Sequence, residues 1–247
     1  MRLKPVVMGV ALLALAGAAS AAEIKVAFAS PMRTTMTALI DQFQRTTAHR
    51  IVVIDTPSRF IAERLRKGEA MDVTILPKPT SAGLIKDGKL ARHVDFARSS
   101  IGVAVLADAP KPDMSSADAV KRTLLAAKSF ARNEGAESGV HMLSVFERLG
   151  IVEAMKAKTI AMPVNTGYVA SLVANRKAEM AAQQMPELLA VPGVIATPLP
   201  PELNVEIVFA AGAGAGSGVT GAVDELLKFL TSPAAAPVLK KNGLEAF

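Results

Sequence analysis

The sequence predicts an α/β fold, because short apolar runs typical of buried strands alternate with segments whose apolar residues have helical spacing. The run IKVAFAS at residues 24–30 shows the first pattern. The second pattern follows directly, with apolar residues at Met32, Met36, Leu39, Ile40 and Phe43. The chain has 247 residues, enough for one large domain or for two lobes of ordinary size. This alternation predicts mostly parallel sheets with crossover helices.

The remaining elements are predicted in the same way. Further strands are expected at residues 51–55, 72–76, 101–106, 128–132, 158–162, 178–183, the middle of 192–201, and 204–210. Further helices are expected at residues 60–67, 80–86, 117–127, 139–149, 168–173, 219–230 and 233–241. The composition changes at residues 107–113, which contain two prolines and mark a boundary between lobes. Residues 212–218, rich in glycine and alanine, are expected to form a flexible loop.

The N-terminus predicts export from the cytoplasm. Arg2 and Lys4 precede an apolar run at residues 6–16, and Ala19-Ser20-Ala21 has the small-x-small pattern of a signal-peptidase site. The run is too short, and has the wrong flanks, for a membrane-spanning helix. We therefore expect a signal peptide over residues 1–21, cleaved near Ala21, and a soluble periplasmic protein.

Charge and composition argue against several classes of protein. The formal net charge is +6, and removal of Arg2 and Lys4 with the signal peptide leaves +4, with the basic residues scattered along the chain. One tyrosine and no tryptophan accompany them, so nucleic-acid binding is not expected. The absence of cysteine excludes disulfides and thiolate chemistry. His49, His93 and His141 lack the spacing of metal ligands, so we expect neither a metal nor a cofactor.

Four hydroxyl residues lie where a predicted strand is followed by a helix: Ser30, Ser58, Ser138 and Thr166. Ligands of open α/β sheets bind at the carboxyl ends of strands, which is where these residues fall. Ser138 and Gly139 also begin a helix, and a helix start offers unpaired N–H groups and partial positive charge to a small anion. Because serine is a common N-cap, a purely capping role for Ser138 stays open. Together the four residues predict an anion site between two lobes.

Other functions have weaker support in the sequence. Ser138 and His141 are three residues apart and are candidates for the nucleophile and base of an exported hydrolase, but no G-x-S-x-G elbow surrounds Ser138. An exported adhesion or signalling module with a receptor fold is another alternative. The G-x-G-x-x-G pattern at residues 216–221 has no acidic residue about 20 positions later, so it does not indicate dinucleotide binding. Arg33 and Arg59 are candidates for guiding an anion toward the cleft.

Several segments together resemble the molybdate-binding-protein-like solute receptors of bacterial ABC transporters. They are the signal peptide, the strand IKVAFAS, the segment EGAESGVHMLSVFERLG at residues 134–150 and the ending FLTSPAAAPVLKKNGLEAF. The resemblance implies a type II periplasmic binding protein, with two α/β lobes joined by a two-strand hinge. Lobe one would comprise residues 22–106 plus 205–247, and lobe two residues 107–204. The implied protein is a monomeric, non-enzymatic receptor that delivers a small anion to an ABC transporter permease at the inner membrane.

The resemblance also implies which residues bind the ligand. In molybdate receptors of this family, serines after the first two strands, a helix start in lobe two and a tyrosine bind the oxyanion. The matching positions here are Ser30, Ser58, Ser138, Gly139, Thr166 and Gly167. Where the family has its tyrosine this chain has Gln183-Gln184-Met185, and Gln184 can donate an amide hydrogen bond there, whereas Tyr168 lies elsewhere in the sequence. The implied ligand is therefore a molybdate-like oxyanion or a small organic acid.

Overall fold

Two β-sheets, each covered by helices, make up the part of the chain that the structure, a computed structural model, describes. That part comprises residues 21–54, 58–164 and 166–247, without the side chains of residues 58 and 59. Residues 1–20 of the predicted signal peptide therefore lie outside it. No helix within these ranges is long and apolar enough to cross a lipid bilayer.

The strands are β1 (Glu23–Phe28), β2 (Arg50–Val53), β3 (Val73–Pro77), β4 (Leu90–Ser99), β5 (Ile101–Leu106), β6 (Phe130–Glu134), β7 (Thr159–Pro163), β8 (Met180–Gln184), β9 (Val194–Pro198), β10 (Ile207–Gly214) and β11 (Glu245–Ala246). The helices are α1 (Arg33–Thr46), α2 (Ser58–Arg66), α3 (Lys78–Lys86), α4 (Ala117–Ala126), α5 (Glu137–Leu149), α6 (Val152–Lys156), α7 (Ala170–Ala174), α8 (Met185–Leu189), α9 (Thr220–Leu230) and α10 (Ala236–Lys241). A 3-10 turn at Ser30–Met32 precedes α1. Each predicted strand and helix overlaps one of these elements, whereas the sequence did not predict β4, β11, α6 or α8.

The two sheets are mixed, which corrects the expectation of mostly parallel sheets. The first has the strand order β11-β4-β10-β3-β1-β2 and the second β7-β6-β8-β5-β9. Strand β1 is parallel to β2 and β3, and β6 is parallel to β7 and β8, as helical crossovers require. The other pairings are antiparallel, and they involve the strands on either side of the two points where the chain passes between sheets. Each sheet with its helices forms one lobe of a two-lobed α/β fold.

The chain passes between the sheets at Ser100 and again over residues 199–206. Strand β5 lies in the second sheet, although the predicted division placed residues 101–106 in lobe one. We therefore propose that the lobes divide at Ser100 and within residues 199–206.

The sequence did not reveal β4 because its buried residues do not alternate regularly. Ala97 pairs with Phe209 and Asp95 with Ala210, so Phe96 is an extra residue between two consecutive pairs. Such a bulge interrupts the two-residue period that marks a strand.

The prediction of a flexible loop at residues 212–218 is partly wrong. Strand β10 continues to Gly214, where a Cβ would overlap the carbonyl oxygen of Met71, so glycine permits close approach of two backbones.

Aromatic residues join helices to the core in both lobes. In the first lobe, Phe43 of α1 packs against Phe229 of α9 with ring centroids 5.5 Å apart. In the second, Phe130 of β6 meets Phe146 of α5 edge to face at 5.5 Å. All of these rings except that of Phe229 are almost completely buried. These ring contacts hold the helices of each lobe in fixed positions relative to each other and to the sheet.

One side chain ties the two linking segments together. The Asn204 Oδ1 atom accepts hydrogen bonds from the backbone N–H groups of Ile101 and Val205, both at 2.9 Å. Its Nδ2 atom donates to the carbonyl oxygens of Ile101 at 3.0 Å and Leu199 at 2.9 Å. The amide therefore acts as a short extension of the β-ladder at the hinge.

Replacing Asn204 with alanine is expected to lower the free energy of unfolding by about 2 to 4 kcal/mol, because backbone groups of both linking segments lose their partners. Urea denaturation of the wild type and variant measures the difference. Asn175→Ala is the matched control, since Asn175 is exposed and its Nδ2 atom makes one local bond to the Ser171 carbonyl. Equal losses in the two variants would contradict the role given to Asn204.

Candidate functional site

A cavity of about 840 Å³ lies between the two lobes, at the carboxyl ends of strands from both sheets. The first lobe contributes residues that follow β1 and β3, and the second contributes residues that follow β6, β7 and β8. The polar residues that line it are Ser30, Arg33, Thr80, Asn133, Glu137, Ser138, Tyr168, Gln183, Gln184 and Glu187. Hydroxyl, amide, guanidinium and carboxyl groups therefore face one shared space.

Four of the predicted ligand-binding residues line this cavity: Ser30, Ser138, Gly167 and Gln184. Ser58 begins α2, but its side chain lies outside the described part of the chain. Thr166 is exposed and is not among the lining residues, because its Oγ1 atom donates to the Pro163 carbonyl at 2.6 Å and closes its own turn. The strand ends therefore meet at one cavity, as the sequence predicted, but not every predicted hydroxyl lines it.

Gly139 does not line the cavity, although the sequence analysis placed it in the ligand site. It is buried in the first turn of α5, where a Cβ atom would overlap the carbonyl oxygen of Asn133. Glycine at this position lets α5 begin directly against the end of β6. Its role in the structure is to bring the helix start close to the cavity.

Ser138 is not the N-cap of α5, so the capping interpretation is wrong. The N-cap is Ala136, and Ser138 lies within the first turn with only 2% of its surface exposed. In the described ranges no other residue forms a hydrogen bond with its hydroxyl group. The hydroxyl is therefore available to a molecule in the cavity, beside the unpaired N–H groups of the first turn.

His141 contacts the hinge rather than Ser138. Its Nε2 atom lies 2.7 Å from the carbonyl oxygen of Leu203, to which it donates a hydrogen bond. No hydrogen bond joins His141 to Ser138 in the residues that the structure covers. The nucleophile–base contact that a serine hydrolase needs is therefore not found there.

Gln183 and Asn133 form a buried network behind the second-lobe wall of the cavity. Gln183 Nε2 donates to Asn133 Oδ1 at 2.8 Å, and Gln183 Oε1 accepts the backbone N–H of Val169 at 2.9 Å. Asn133 Nδ2 in turn donates to the carbonyl oxygen of Met162 at 3.4 Å. The network joins β8, β6 and the loop that carries Tyr168, so it sets the position of that tyrosine.

Tyr168 lies in the cavity wall, although its place in the sequence gave no sign of this. The residue is half-buried, and its hydroxyl lies near the side chain of Thr34 of the first lobe, which lowers its pKa slightly. Burial raises the pKa of Tyr168, the nearby carboxyl of Glu187 raises it further, and Arg33 opposes the shift. Tyr168 therefore lies near both Arg33 and Glu187 at the place where the two lobes meet.

Glu187 was not identified from the sequence. It lies in the first turn of α8 with 8% of its surface exposed, close to the Gln184 backbone and the Gln183 side chain, both of which favour its ionised form. Gln184 is the N-cap of α8 and Glu187 its third residue, so the two have the spacing of a capping box. Burial nonetheless raises the pKa of Glu187 to about 8, so the carboxyl is mainly protonated at neutral pH.

Gln184 presents a further polar atom without a protein partner. Its Oε1 atom is buried and has no hydrogen bond in the described structure, although the residue lines the cavity. A buried amide oxygen of this kind is expected to pair with a donor from water or from a ligand.

Among all the residues that the structure describes, no group of three or more His, Cys, Asp or Glu residues could hold a metal ion.

Two α/β lobes, joined by two chain segments and enclosing a polar cavity at their strand ends, define a type II periplasmic binding protein fold. The chain belongs to the bacterial extracellular solute-binding protein family, whose sequence model matches residues 24–245. Family and fold confirm the resemblance to molybdate-receptor-like proteins that the sequence suggested.

Three comparisons give the degree of similarity. The sequence is 34% identical over 195 residues to an aconitate isomerase from a Pseudomonas species, covering 77% of this chain and 73% of that protein. It is 28% identical over 148 residues to the molybdate-binding protein ModA of Azotobacter vinelandii, covering 59% of this chain and 58% of that one. The fold matches the solved periplasmic molybdate-binding protein of Azotobacter vinelandii with a TM-score of 0.72 at 18% identity, covering 90% and 98% of the two chains.

The buried carboxyl of Glu187 is expected to make stability depend on pH. Its pKa rises from 4.5, the ordinary value, to about 8 in the folded protein, so unfolding releases a proton between these pH values. The free energy of unfolding of the wild type should therefore decrease by about 3 to 5 kcal/mol as pH rises through this window. In the Glu187→Gln variant this decrease should be absent. Urea denaturation at a series of pH values measures it.

The matched control is Glu153→Gln, an exposed position on α6. This variant should follow the pH dependence of the wild type. If the Glu187→Gln curve also runs parallel to that of the wild type, the carboxyl does not titrate in the way its burial implies.

Proposed function

We propose that the protein is a periplasmic receptor that binds a small organic acid, with two or more carboxylates, in the cleft between its lobes. The observation that carries this proposal is the arrangement of charge in the cavity: Arg33 of the first lobe faces it together with Glu187 and Tyr168 of the second. A guanidinium binds a carboxylate with good geometry, and the opposite wall offers hydroxyl, amide and protonated carboxyl groups.

The composition of the wall favours an organic acid over a tetrahedral oxyanion. A fully ionised oxyanion only accepts hydrogen bonds, so it offers no donor to the unpaired Gln184 Oε1 atom. A polycarboxylate with C–H or hydroxyl groups can place its charged end at Arg33 and a less charged part near Glu187. A volume of about 840 Å³ also lies in the range of small-molecule sites.

Delivery to a transporter completes this proposal. Ligand contacts from both lobes stabilise a closed form, and closure presents one joint surface to a permease of an ABC transporter. Membership of an extracellular solute-binding family supports this role, and the predicted signal peptide accounts for the periplasmic location.

A second candidate function is isomerisation of an unsaturated tricarboxylate in the same cleft. The relative that is 34% identical is named an aconitate isomerase. The observation in this chain that favours the activity is Glu187, a buried carboxyl that lines the cavity and forms no ion pair with the described residues. Receptor and enzyme would share their ligand class, so binding is tested first.

The test is isothermal titration of the purified protein against citrate, tricarballylate, cis- and trans-aconitate, succinate, molybdate and sulfate. At least one polycarboxylate is expected to bind about tenfold or more tighter than molybdate. Arg33→Gln should weaken that binding by about 10- to 100-fold, because a charged hydrogen bond contributes roughly 1.5 to 3 kcal/mol.

Arg45→Gln is the control, since Arg45 is exposed at the far end of the same helix α1. It should leave the affinity unchanged. Tighter binding of molybdate than of every carboxylate, or no binding of any compound, contradicts the proposal.

A further inference from the structure

We infer that Glu187 is the catalytic proton carrier of a 1,3-proton shift, which this cleft performs on a bound unsaturated tricarboxylate. The inference rests on the second candidate function and names the residue that would act. It requires that the carboxyl face the ligand space, that its position be held, and that a cation lie near enough to stabilise the charge that develops on the substrate.

The position of Glu187 is held from several sides. The Gln184 backbone and the Gln183 side chain lie close enough to the carboxyl to lower its pKa. Gln183 is itself hydrogen-bonded to Asn133 and to the backbone of Val169. Both glutamines belong to β8, which is buried along its whole length. The carboxyl therefore has little freedom to turn away from the cavity.

Helix α8 is also supported from outside the second lobe. Its residues contact the 3-10 turn at Ser30–Met32, which belongs to the first lobe. On another side it meets Gly243, where a Cβ would come within 2.7 Å of Leu189 Cδ1 and 3.1 Å of Met185 Cβ. Glycine at this position lets the C-terminal segment pack closely on the helix. Glu187 thus lies on a helix that is braced by both lobes.

The groups around Glu187 suit proton transfer. The charged and titratable groups that line the cavity with it in the described residues are Arg33, Glu137 and Tyr168, and the pKa of Tyr168 responds to both Arg33 and Glu187. No ion pair involving Glu187 occurs among these residues, so no cation holds the carboxyl permanently ionised. A carboxyl with a pKa of about 8 can both accept a proton and return it near neutral pH. Arg33 remains charged throughout and can neutralise a substrate carboxylate.

The proposed step balances without a cofactor. The Glu187 carboxylate removes a proton from the methylene carbon that lies between a carboxylate and the C=C bond. The C–H electron pair forms a new C=C bond, and the pair of the old double bond moves toward its far carbon, with negative charge shared by the substrate carboxylates. The Glu187 carboxyl then returns the proton to that far carbon. Nothing is oxidised or reduced, and the residue ends in its starting state.

The experiment follows trans-aconitate with the purified protein in deuterated water by proton NMR, and measures binding by titration in parallel. The wild type should exchange the methylene and vinyl protons and form the cis isomer, with a rate that rises with pH up to about pH 8 as Glu187 ionises. Glu187→Gln should bind trans-aconitate within about threefold of the wild type, yet exchange at least about 100-fold more slowly. Glu153→Gln should behave as the wild type in both measurements.

The outcomes separate this inference from the receptor proposal. Binding of trans-aconitate by the wild type without exchange overturns the proton-transfer role and leaves the receptor proposal standing. Exchange at the wild-type rate in Glu187→Gln overturns the assignment to this residue. Failure of every carboxylate to bind overturns the receptor proposal, and the inference with it.

Discussion

The buried hydrogen bonds of Gln183 are the interaction on which the rest of the site depends. Its amide joins Asn133 at the end of β6 to the backbone at Val169, and its side chain also reaches Glu187. Three loops that leave the second sheet at different strands are therefore connected by one side chain. Buried polar groups are costly unless paired, so this network leaves few alternative arrangements for the wall of the cavity.

The first lobe completes the site because the hinge keeps its strand ends opposite that wall. Asn204 joins the two linking segments through four backbone groups, and Tyr168 reaches across to Thr34. The cation and the buried carboxyl of the cavity then come from different lobes. A receptor uses such an arrangement to close on a ligand, and an enzyme uses it to exclude water from a proton transfer. The two candidate functions therefore share one geometry.

Individual residues show why the site was only partly predictable. Ser30 and Ser138 were expected from strand-to-helix junctions, and both line the cavity. Gly139 was assigned to the ligand because it follows Ser138, but it serves the close approach of α5 to Asn133. Glu187 gave no sequence signal, because α8 was not predicted, and a glutamate early in a helix is in any case ordinarily a capping residue on the surface. Its burial follows from contacts of α8 with β8, β9 and the first lobe.

The sequence by itself determined the α/β class, the positions of most elements, the family resemblance and the presence of hydroxyl residues at strand ends. These follow from local patterns, in which the period of apolar residues and the type of junction are visible along the chain. Only the tertiary structure decided that Tyr168 and Glu187 share a cavity with Arg33 and Gln184. Convergence and burial depend on which strands become neighbours and on how much water is excluded, and neither is encoded within a short stretch of residues.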